Sequence, residues 1–258
     1  MSDFELLATA EEAAREAGAL LRNWSRQLQV NEKTGPADLV TEADVAAQKL
    51  IFDLIHARYP DHNFLGEEGL NKTDGQSEYR WVIDPLDGTS NYVHGYPYYA
   101  VSIGLERAGE LLLGTIYDPT RDETFSALAG HGAKLNGQSI HVSRITELKH
   151  AMVIASFPPG VNPESPPIAR FMRVLPHAQT IHRTGSAALN LAYLAAGRIE
   201  AFWSSSLKPW DMAAGVAIVR EAGGRVTRMD GGPLDLAVPD MLASNGSEVH
   251  AQLERLLD

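Results

Sequence analysis

The order of helix-like and strand-like segments constrains the fold of this chain more than any other feature of its sequence. Two long amphipathic segments come first, at about residues 4–27 and 45–59, where apolar residues recur at helical spacing. Short runs of β-branched and aromatic residues follow from Trp81 onward. Because the two kinds of segment alternate irregularly before Ala151 and regularly after it, the sequence predicts an α+β or α/β protein with layered, mixed sheets.

Capping signals predict where the two N-terminal helices begin. Ser2 with Glu5, and Thr41 with Asp44, have the spacing of a helix N-cap and the third residue of its helix. A loop is predicted around residues 33–36, between these helices. Further strands are predicted at residues 81–83, 98–105, 111–117, 124–128, 151–155, 179–182, 199–203, 225–229 and 241–244, and further helices at residues 168–175, 187–196, 212–222 and 248–257.

Composition excludes several classes of function. The chain has 22 Lys and Arg against 33 Asp and Glu, a formal net charge of −11, and no cluster of basic residues, which argues against nucleic acid as a ligand. It has no cysteine, so disulfides and thiolate metal sites are excluded. No apolar stretch approaches the roughly 20 residues that span a bilayer. We therefore expect a cytoplasmic protein that binds neither nucleic acid nor membrane.

Two groups of carboxylates are candidates for chemistry. Glu67 and Glu68 lie between glycines, and Asp84 and Asp87 directly follow an apolar strand in the segment DPLDGTS. Each group alone is typical of a solvated turn. Together they offer the oxygen ligands that Mg²⁺ prefers. Asp84, Asp87 and the carbonyl of Leu86 can point at one place, and two ions sharing Asp84 would then lie about 3.5–4 Å apart.

A further carboxylate, Asp211, precedes the predicted helix at residues 212–222. Aspartate at this position is commonly a plain N-cap. The alternative is that Asp211 faces the metal site while the positive end of the helix favours a bound anion. Spacing along the sequence leaves both interpretations open.

Three of these segments resemble, in this order, the signature motifs of the inositol monophosphatase family. They are GEE at residues 66–68, WVIDPLDGTSNYVHG at 81–95 and WDMAAG at 210–215, and the resemblance extends over residues 33–224. It implies an αβαβα sandwich of the inositol monophosphatase and fructose-1,6-bisphosphatase type. It also implies a homodimer and a Mg²⁺-dependent, Li⁺-sensitive hydrolysis of small phosphomonoesters.

The resemblance assigns metal ligands to residues of this chain. Glu67, Asp84 and the Leu86 carbonyl would hold a first Mg²⁺ ion. Asp84, Asp87 and Asp211 would hold a second ion, and a third, weaker ion would bind chiefly through Glu67 and water. A phosphomonoester dianion approaches so many carboxylates only when cations invert the local potential. We therefore expect two to three Mg²⁺ ions in each active site.

Catalytic roles follow from the same resemblance. Thr89 and Glu67 would orient the attacking water, with Asp44 accepting a hydrogen bond from the Thr89 hydroxyl. Backbone N–H groups of Gly88 and Thr89, at the start of a helical turn, would cradle the phosphate. Glu68 would support the ligands without contacting the ions. A metal-activated water is the expected nucleophile.

Substrate contacts are less well defined by the sequence. Ser186 and Ala187 begin a predicted helix that family members use near substrate hydroxyls, although capping alone would explain Ser186. Lys33 either neutralises phosphate charge or is a solvated loop residue. Asp211 is also assigned to substrate binding. Seven positions before Asp211, family members that prefer inositol phosphates often carry an acidic residue, and this chain has Ser204, which also suits a larger or differently arranged polyol or sugar phosphate.

The predicted function is Mg²⁺-dependent hydrolysis of a small phosphomonoester, with myo-inositol 1-phosphate as the leading substrate. Histidinol phosphate, fructose 1,6-bisphosphate and adenosine 3′,5′-bisphosphate are alternatives on the same scaffold. An alternative of another class is a regulatory protein that binds the transcription machinery.

The chain is expected to divide near Ala151. Residues 1–150 would form an α+β half that carries most metal ligands, and residues 151–258 an α/β half that carries Asp211 and the substrate-recognition segments. The two halves are predicted to pack into one compact catalytic unit.

Overall fold

The computed structural model describes residues 2–24, 30–35, 38–73 and 76–258, and for residues 30–35 and 38–40 it describes the backbone alone. Its helices are named α1 to α7 in chain order: Asp3–Trp24, Glu42–Arg58, Thr89–Val93, Pro166–Val174, Ala187–Ala195, Pro209–Glu221 and Glu248–Leu257. No helix in these ranges is long and apolar enough to cross a membrane.

Both predicted N-terminal caps are confirmed. The Ser2 backbone N–H donates to Glu5 Oε2 at 2.8 Å, and the Glu5 N–H donates to Ser2 Oγ at 3.3 Å. At the start of α2, Thr41 Oγ1 accepts hydrogen bonds from the backbone of Ala43 and Asp44, and Asp44 accepts in return from the Thr41 N–H at 2.8 Å. These reciprocal bonds satisfy backbone donors that a helix start otherwise leaves unpaired.

The strands form three sheets. They are named β1 to β15 in chain order: Val30–Gly35, Asp38–Thr41, Asn63–Gly66, Asn71–Lys72, Tyr79–Asp87, Ala100–Arg107, Glu110–Asp118, Glu123–Leu128, Ala133–Leu135, Gln138–Ile140, Met152–Ser156, Thr180–His182, Ala201–Ser204, Arg225–Thr227 and Met241–Ser244. β1 and β2 pair only with each other, as an antiparallel hairpin.

The larger two sheets have different characters. The first has the order β10-β9-β8-β7-β6-β5-β3-β4 and is antiparallel except where β3 runs parallel to β5. The second has the order β12-β11-β13-β15-β14, and its strands β12, β11 and β13 are parallel. The first sheet therefore consists mainly of local hairpins, whereas the second brings distant segments side by side.

Helices and sheets alternate in five layers, as the resemblance to the inositol monophosphatase family implied. α1 and α2 cover one face of the first sheet, α5 and α6 lie between the two sheets, and α4 and α7 pack together with α7 against the second sheet. Each interface between layers has its own apolar core. Burying a face of every helix and sheet in this way is what a layered fold requires.

The predicted loop at residues 33–36 was wrong in part, because residues 33–35 belong to β1. The segment lacks the alternation of apolar and polar residues that marks a half-buried strand, and its strand structure comes from backbone pairing with β2. The sequence also did not predict β2, β3, β4, β9 or β10, all of which are short, whereas α3 begins at Thr89, where a helical turn was expected. α1 ends at Trp24, and residues 25–27 of the predicted helix lie outside the described residues.

Candidate metal centre

An irregularity at the end of β5 brings two carboxylates together. Asp84 pairs with Ser102 and Asp87 with Ala100, so one extra residue of β5 lies between the two pairs. Pro85 accounts for the break, because it has no N–H to donate to the neighbouring strand. The freed Leu86 N–H donates instead to Asp84 Oδ1 at 3.1 Å.

Asp211 completes a cluster of three carboxylates with Asp84 and Asp87. One carboxylate oxygen from each lies within 4.8 Å of the other two. Asp84 and Asp87 are 1% and 8% exposed, at the end of a strand of the first sheet. Asp211 comes from α6, which follows the second sheet's strand β13. The cluster therefore joins segments that are far apart in the sequence.

The start of α6 differs from the prediction. The helix begins at Pro209 rather than near Met212, and its N-cap is Lys208. Asp211 is the third helical residue, and its Oδ2 accepts the Lys208 backbone N–H at 2.7 Å. The proline favours this earlier start, since its φ suits the first helical turn. Asp211 therefore contributes to capping and belongs to the carboxylate cluster at the same time.

The three carboxylates oppose each other's ionisation. Burial, followed by the charges of Glu67, Asp87 and Asp211, raises the pKa of Asp84 well above its usual range. Burial raises the pKa of Asp87 to about 6, although hydrogen bonds to its carboxylate oppose the change. Burial and the charge of Asp87 raise the pKa of Asp211 to about 8. The three carboxyl groups can therefore lie close together at low cost only when protons neutralise some of them or a bound cation balances their negative charge.

This donor set fits a divalent cation. All three residues offer carboxylate oxygens, which hard ions such as Mg²⁺ prefer, and the described residues bring no sulfur or imidazole group into the cluster. The mutual repulsion evident in the raised pKa values is what a bound cation would relieve.

The N-terminus of α5 supports Asp87. Ser186 Oγ donates to Asp87 Oδ2, and the backbone N–H groups of Ala187 and Ala188 donate to the same carboxylate at 3.2 and 2.7 Å. Ser186 is also the helix N-cap, since its Oγ accepts the Leu189 N–H at 3.2 Å. The predicted residues Ser186 and Ala187 therefore touch the cluster directly, and the positive end of the helix faces a negative charge.

Thr89 and Asp44 are joined by a hydrogen bond, as the family resemblance implied. Thr89 Oγ1 lies 3.1 Å from Asp44 Oδ1 and 3.2 Å from the Leu86 carbonyl oxygen, and it can donate to either. Thr89 is the first residue of α3, and Gly88 before it has a φ of 93°. A side chain at Gly88 would also meet the Tyr98 carbonyl at 3.1 Å, so the turn needs glycine.

The two predicted glutamates occupy different surroundings. The Glu67 N–H donates to the Ile83 carbonyl at 3.2 Å, which holds the residue beside β5. The negative charge of Glu67 contributes to the raised pKa values of Asp44, Asp84 and the other two cluster residues. Glu68 is bound through its backbone to the Gln48 amide by two hydrogen bonds of 2.9 Å. Glu67 thus belongs electrostatically to the cluster, and Glu68 is tied to α2.

A cavity of about 450 Å³ contains two of the cluster carboxylates. Ser204 is fully buried and is absent from the lining, where Ser206 is found instead. The Lys33 side chain lies outside the described residues. The lining comprises Asp87, Ser90, Asn91, Thr184, Gly185, Ala187 and Asp211, together with Ser156, Phe157, Pro159, Arg183, Ser206 and Leu207. The sequence analysis assigned no role to Phe157, Arg183 or Ser206, because only the order of the strands in the second sheet brings these residues together.

The five layers and the carboxylate cluster define the class of αβαβα sandwiches to which inositol monophosphatase and fructose-1,6-bisphosphatase belong. Within that class, the chain is a member of the inositol monophosphatase family, whose model matches residues 3–258.

Named relatives are similar over nearly their whole length. An inositol-1-monophosphatase of Synechocystis is 40% identical over 97% of this chain and 88% of its own length. The Nus factor SuhB of Escherichia coli is 37% identical over 98% of this chain and 96% of its own. The crystal structure of the extragenic suppressor protein suhB from Bartonella henselae superposes with a TM-score of 0.93, at 38% identity and with 98% of each chain covered.

Proposed function

We propose that this protein hydrolyses a small phosphomonoester in a Mg²⁺-dependent reaction, with myo-inositol 1-phosphate as the leading substrate. The observation that carries the proposal is the cluster of Asp84, Asp87 and Asp211 beside a cavity large enough for such a ligand. The inositol-1-monophosphatase of Synechocystis, at 40% identity, supports the substrate class.

The cluster residues would hold two to three Mg²⁺ ions. Asp84, Asp87 and Asp211 would contribute carboxylate oxygens, with Glu67 and the Leu86 carbonyl as further ligands. When bound, Mg²⁺ supplies the positive charge that attracts a phosphate dianion and lowers the pKa of water. Glu68 would steady this region through its backbone bonds to Gln48.

Asp44 and Thr89 would orient the attacking water. Asp44 is fully buried and receives hydrogen bonds from Thr41, which fix its carboxylate. When the Thr89 hydroxyl donates a hydrogen bond to Asp44, the Thr89 oxygen can still accept one from another group. A water that donates to Thr89 and to Glu67 is then held with a lone pair directed away from both, toward a phosphate cradled by the Gly88 and Thr89 N–H groups.

The alcohol half of the substrate would meet the remaining predicted residues. Ala187 and Asp211 line the cavity, and Ser186 is held beside them through Asp87. Ser204 is fully buried, so its contribution to substrate choice would act through its neighbour Ser206, whose Oγ lies 3.4 Å from Ser204 Oγ. Lys33 would neutralise phosphate charge.

A single assay tests the proposal. Phosphate release is measured with Mg²⁺, with and without Li⁺, on inositol 1-phosphate, histidinol phosphate, fructose 1,6-bisphosphate, glycerol 2-phosphate and adenosine 3′,5′-bisphosphate. We expect Li⁺-sensitive turnover led by inositol 1-phosphate. Preference for another ester would retain the metal chemistry and replace the substrate, and no turnover of any ester would contradict the proposal.

A regulatory function is the second candidate, because the chain is 37% identical to a protein named Nus factor SuhB. Copurification of RNA polymerase with the tagged protein would support it. The Asp84→Asn variant makes this test decisive. If the regulatory function needs no hydrolysis, RNA polymerase should still copurify with this variant.

We also propose that the enzyme is a homodimer and acts in the cytoplasm. Family membership supports the first statement and the absence of cysteine is consistent with the second. Light scattering after size-exclusion chromatography tests the oligomeric state, and fractionation of cells tests the compartment.

A further inference from the structure

The cavity beside Asp87 and Asp211 extends over the ends of three parallel strands. Phe157 follows β11, Arg183 follows β12, and Ser206 lies two residues beyond β13, and all three residues line the cavity. Ligands of parallel α/β sheets bind where the carboxyl ends of the strands meet. A substrate whose phosphate lies at the carboxylates therefore directs its alcohol half toward these three residues.

Arg183 gives this part of the cavity a positive charge. Within the described part of the chain it is the only basic residue of the cavity lining. It is exposed, and among those same residues no carboxylate forms an ion pair with it. Its guanidinium thus has N–H donors that no carboxylate of the described residues occupies.

Aromatic packing holds the Arg183 side chain at the cavity. Its Cζ atom lies 5.4 Å from the centre of the Phe157 ring. Phe157 in turn packs edge to face on Phe171 of α4, with ring centres 5.6 Å apart and planes at 87°. A guanidinium stacked on a fixed ring loses less freedom when it binds a ligand.

We propose that Arg183 binds a second anionic group, a carboxylate or a phosphate, when the alcohol half of a phosphomonoester carries one. The inference rests on the proposed phosphatase activity and adds a second class of ester to the neutral polyol esters that inositol 1-phosphate represents. A neutral polyol offers Arg183 only hydroxyl oxygens, whereas an anion forms shorter, charge-assisted hydrogen bonds, bidentate with a guanidinium.

Two esters that share one carbon skeleton isolate this effect. Glycerol 2-phosphate and 2-phosphoglycerate differ only in that a CH₂OH group of the first is a carboxylate in the second. The quantity to measure is the ratio of kcat/KM for 2-phosphoglycerate to kcat/KM for glycerol 2-phosphate. Effects on the shared phosphate and its metal ions cancel in this ratio, which leaves recognition of the carboxylate.

We expect Arg183→Gln to lower this ratio about tenfold, the loss typical of one charged hydrogen-bonding partner. Arg183→Lys should retain part of the preference, because it keeps the charge and loses the bidentate geometry. Phe157→Leu should cause a smaller loss, about threefold, since it removes only the stacking. In the unmodified protein, added KCl should reduce the ratio, because Arg183 is exposed and its charge is screened.

The control variant is Arg144→Gln, an exposed arginine outside the cavity lining, for which the ratio should be unchanged. An equal ratio in the unmodified protein and in Arg183→Gln would overturn the proposal, and would indicate that the carboxylate binds elsewhere, for example to a metal ion. Calorimetric affinities for both esters give the same comparison if neither is hydrolysed. Failure of the phosphatase reaction and failure of recognition by Arg183 are then distinguishable.

Discussion

At the scale of single residues, the negative charge with which Asp211 would bind a metal ion lowers the stability of the metal-free fold. Its carboxyl pKa of about 8, raised by burial and by Asp87, means that the folded protein without metal holds a proton there at neutral pH. The unfolded chain releases that proton near the ordinary pKa of aspartate, about 4. The stability associated with this proton is therefore lost as the pH rises through about 8.

We expect Asp211→Asn to stabilise the metal-free protein at pH 8.5, by about 1–3 kcal/mol. Asparagine resembles the protonated carboxyl and still accepts the Lys208 N–H. The gain should shrink at pH 6, where Asp211 is already neutral, and turnover should fall by at least about 100-fold at either pH. Urea unfolding in the presence of a chelator measures the first effect. Equal destabilisation at both pH values would contradict the argument.

His250 sets a second pH dependence, away from the cavity. Its Nδ1 lies 2.8 Å from Ser244 Oγ and its Nε2 lies 3.0 Å from Thr227 Oγ1. Thr227 donates to the Arg228 carbonyl, so it accepts from Nε2–H, and Nδ1 is left to accept from Ser244. Burial lowers the pKa of His250 to about 4, and the neutral ring is the one that this chain of bonds requires.

Stability should therefore fall as the pH drops from about 6.5 toward about 4, where the unfolded chain binds a proton and the folded protein does not. The expected loss at pH 5 is about 2 kcal/mol relative to pH 7. His250→Gln should remove this part of the pH dependence while lowering stability at pH 7 by about 1–3 kcal/mol. An NMR titration that protonates His250 above pH 6 would contradict the assignment.

The carboxylates could be predicted from sequence, and Arg183 could not. Asp84 and Asp87 are close in sequence, directly after a strand, so local geometry alone brings them together. Arg183 meets Phe157 only because β11 and β12 are parallel neighbours with Ile154 opposite His182. Register between strands separated by a helix depends on packing of the whole sheet, which no local pattern specifies.

At the scale of elements, the packing of α6 on the first sheet positions Asp211. Gly104 of β6 and Gly114 of β7 lie opposite each other and face the helix backbone. A Cβ atom on Gly114 would lie 2.2 Å from the Ala214 carbonyl oxygen, and one on Gly104 would lie 2.8 Å from the Cβ of Ala213. The two glycines thus let the helix lie directly on the sheet.

Gly114→Ala should displace α6 and destabilise the protein by about 1–3 kcal/mol, the usual cost of overpacking. Because Asp211 lies in the first turn of α6, Mg²⁺ affinity should fall as well. Calorimetric titration of the folded variant with Mg²⁺ measures that loss.

Gly232→Ala is the matched control, since the atoms nearest to its Cβ would belong to the flexible side chains of Asp230 and Arg228. It should leave the Mg²⁺ affinity unaltered. An unaltered affinity in Gly114→Ala as well would show that α6 keeps its place without the glycine.

Elements with strong local signals agree best with the sequence prediction. α7 and β15 occupy the predicted residues 248–257 and 241–244, and Ser247 caps α7 by accepting the Val249 N–H at 3.3 Å. The strand β3 was missed because its four residues show no alternation and end in glycine. Its strand structure depends on pairing with β4 and β5, a tertiary effect.

At the scale of the whole molecule, the carboxylate cluster ties the first sheet to the central helix layer. Asp84 and Asp87 belong to β5 of the first sheet, and Asp211 belongs to α6 of the central helix layer. The apolar core between the two sheets contains residues of the first sheet and of the central helix layer. A cation bound by all three residues would bind the folded protein and not the unfolded chain. Its binding free energy is then added to the stability of the fold.

Mg²⁺ at about 100 times its dissociation constant should stabilise the protein by about 2.7 kcal/mol, which corresponds to a rise in Tm of about 5–10 °C. Asp84→Asn should abolish most of this rise, because it removes a ligand without changing core volume. Asp53→Asn, an exposed carboxylate paired with Lys49, serves as the control and should keep the full rise. A Tm rise of equal size in both variants would place the ion outside the cluster.

The cavity is assembled from two structurally separate sources. Its carboxylates come from β5 and the first turn of α6, whereas Phe157, Arg183 and Ser206 lie in connections that leave the ends of parallel strands. Connections of this kind tolerate exchange and insertion far better than strands do. Evolution can therefore change the substrate preference of this protein through substitutions and insertions in these connections, while the residues proposed for hydrolysis are inherited unchanged. A mutant library confined to the same connections would vary substrate preference with little risk to the hydrolytic reaction.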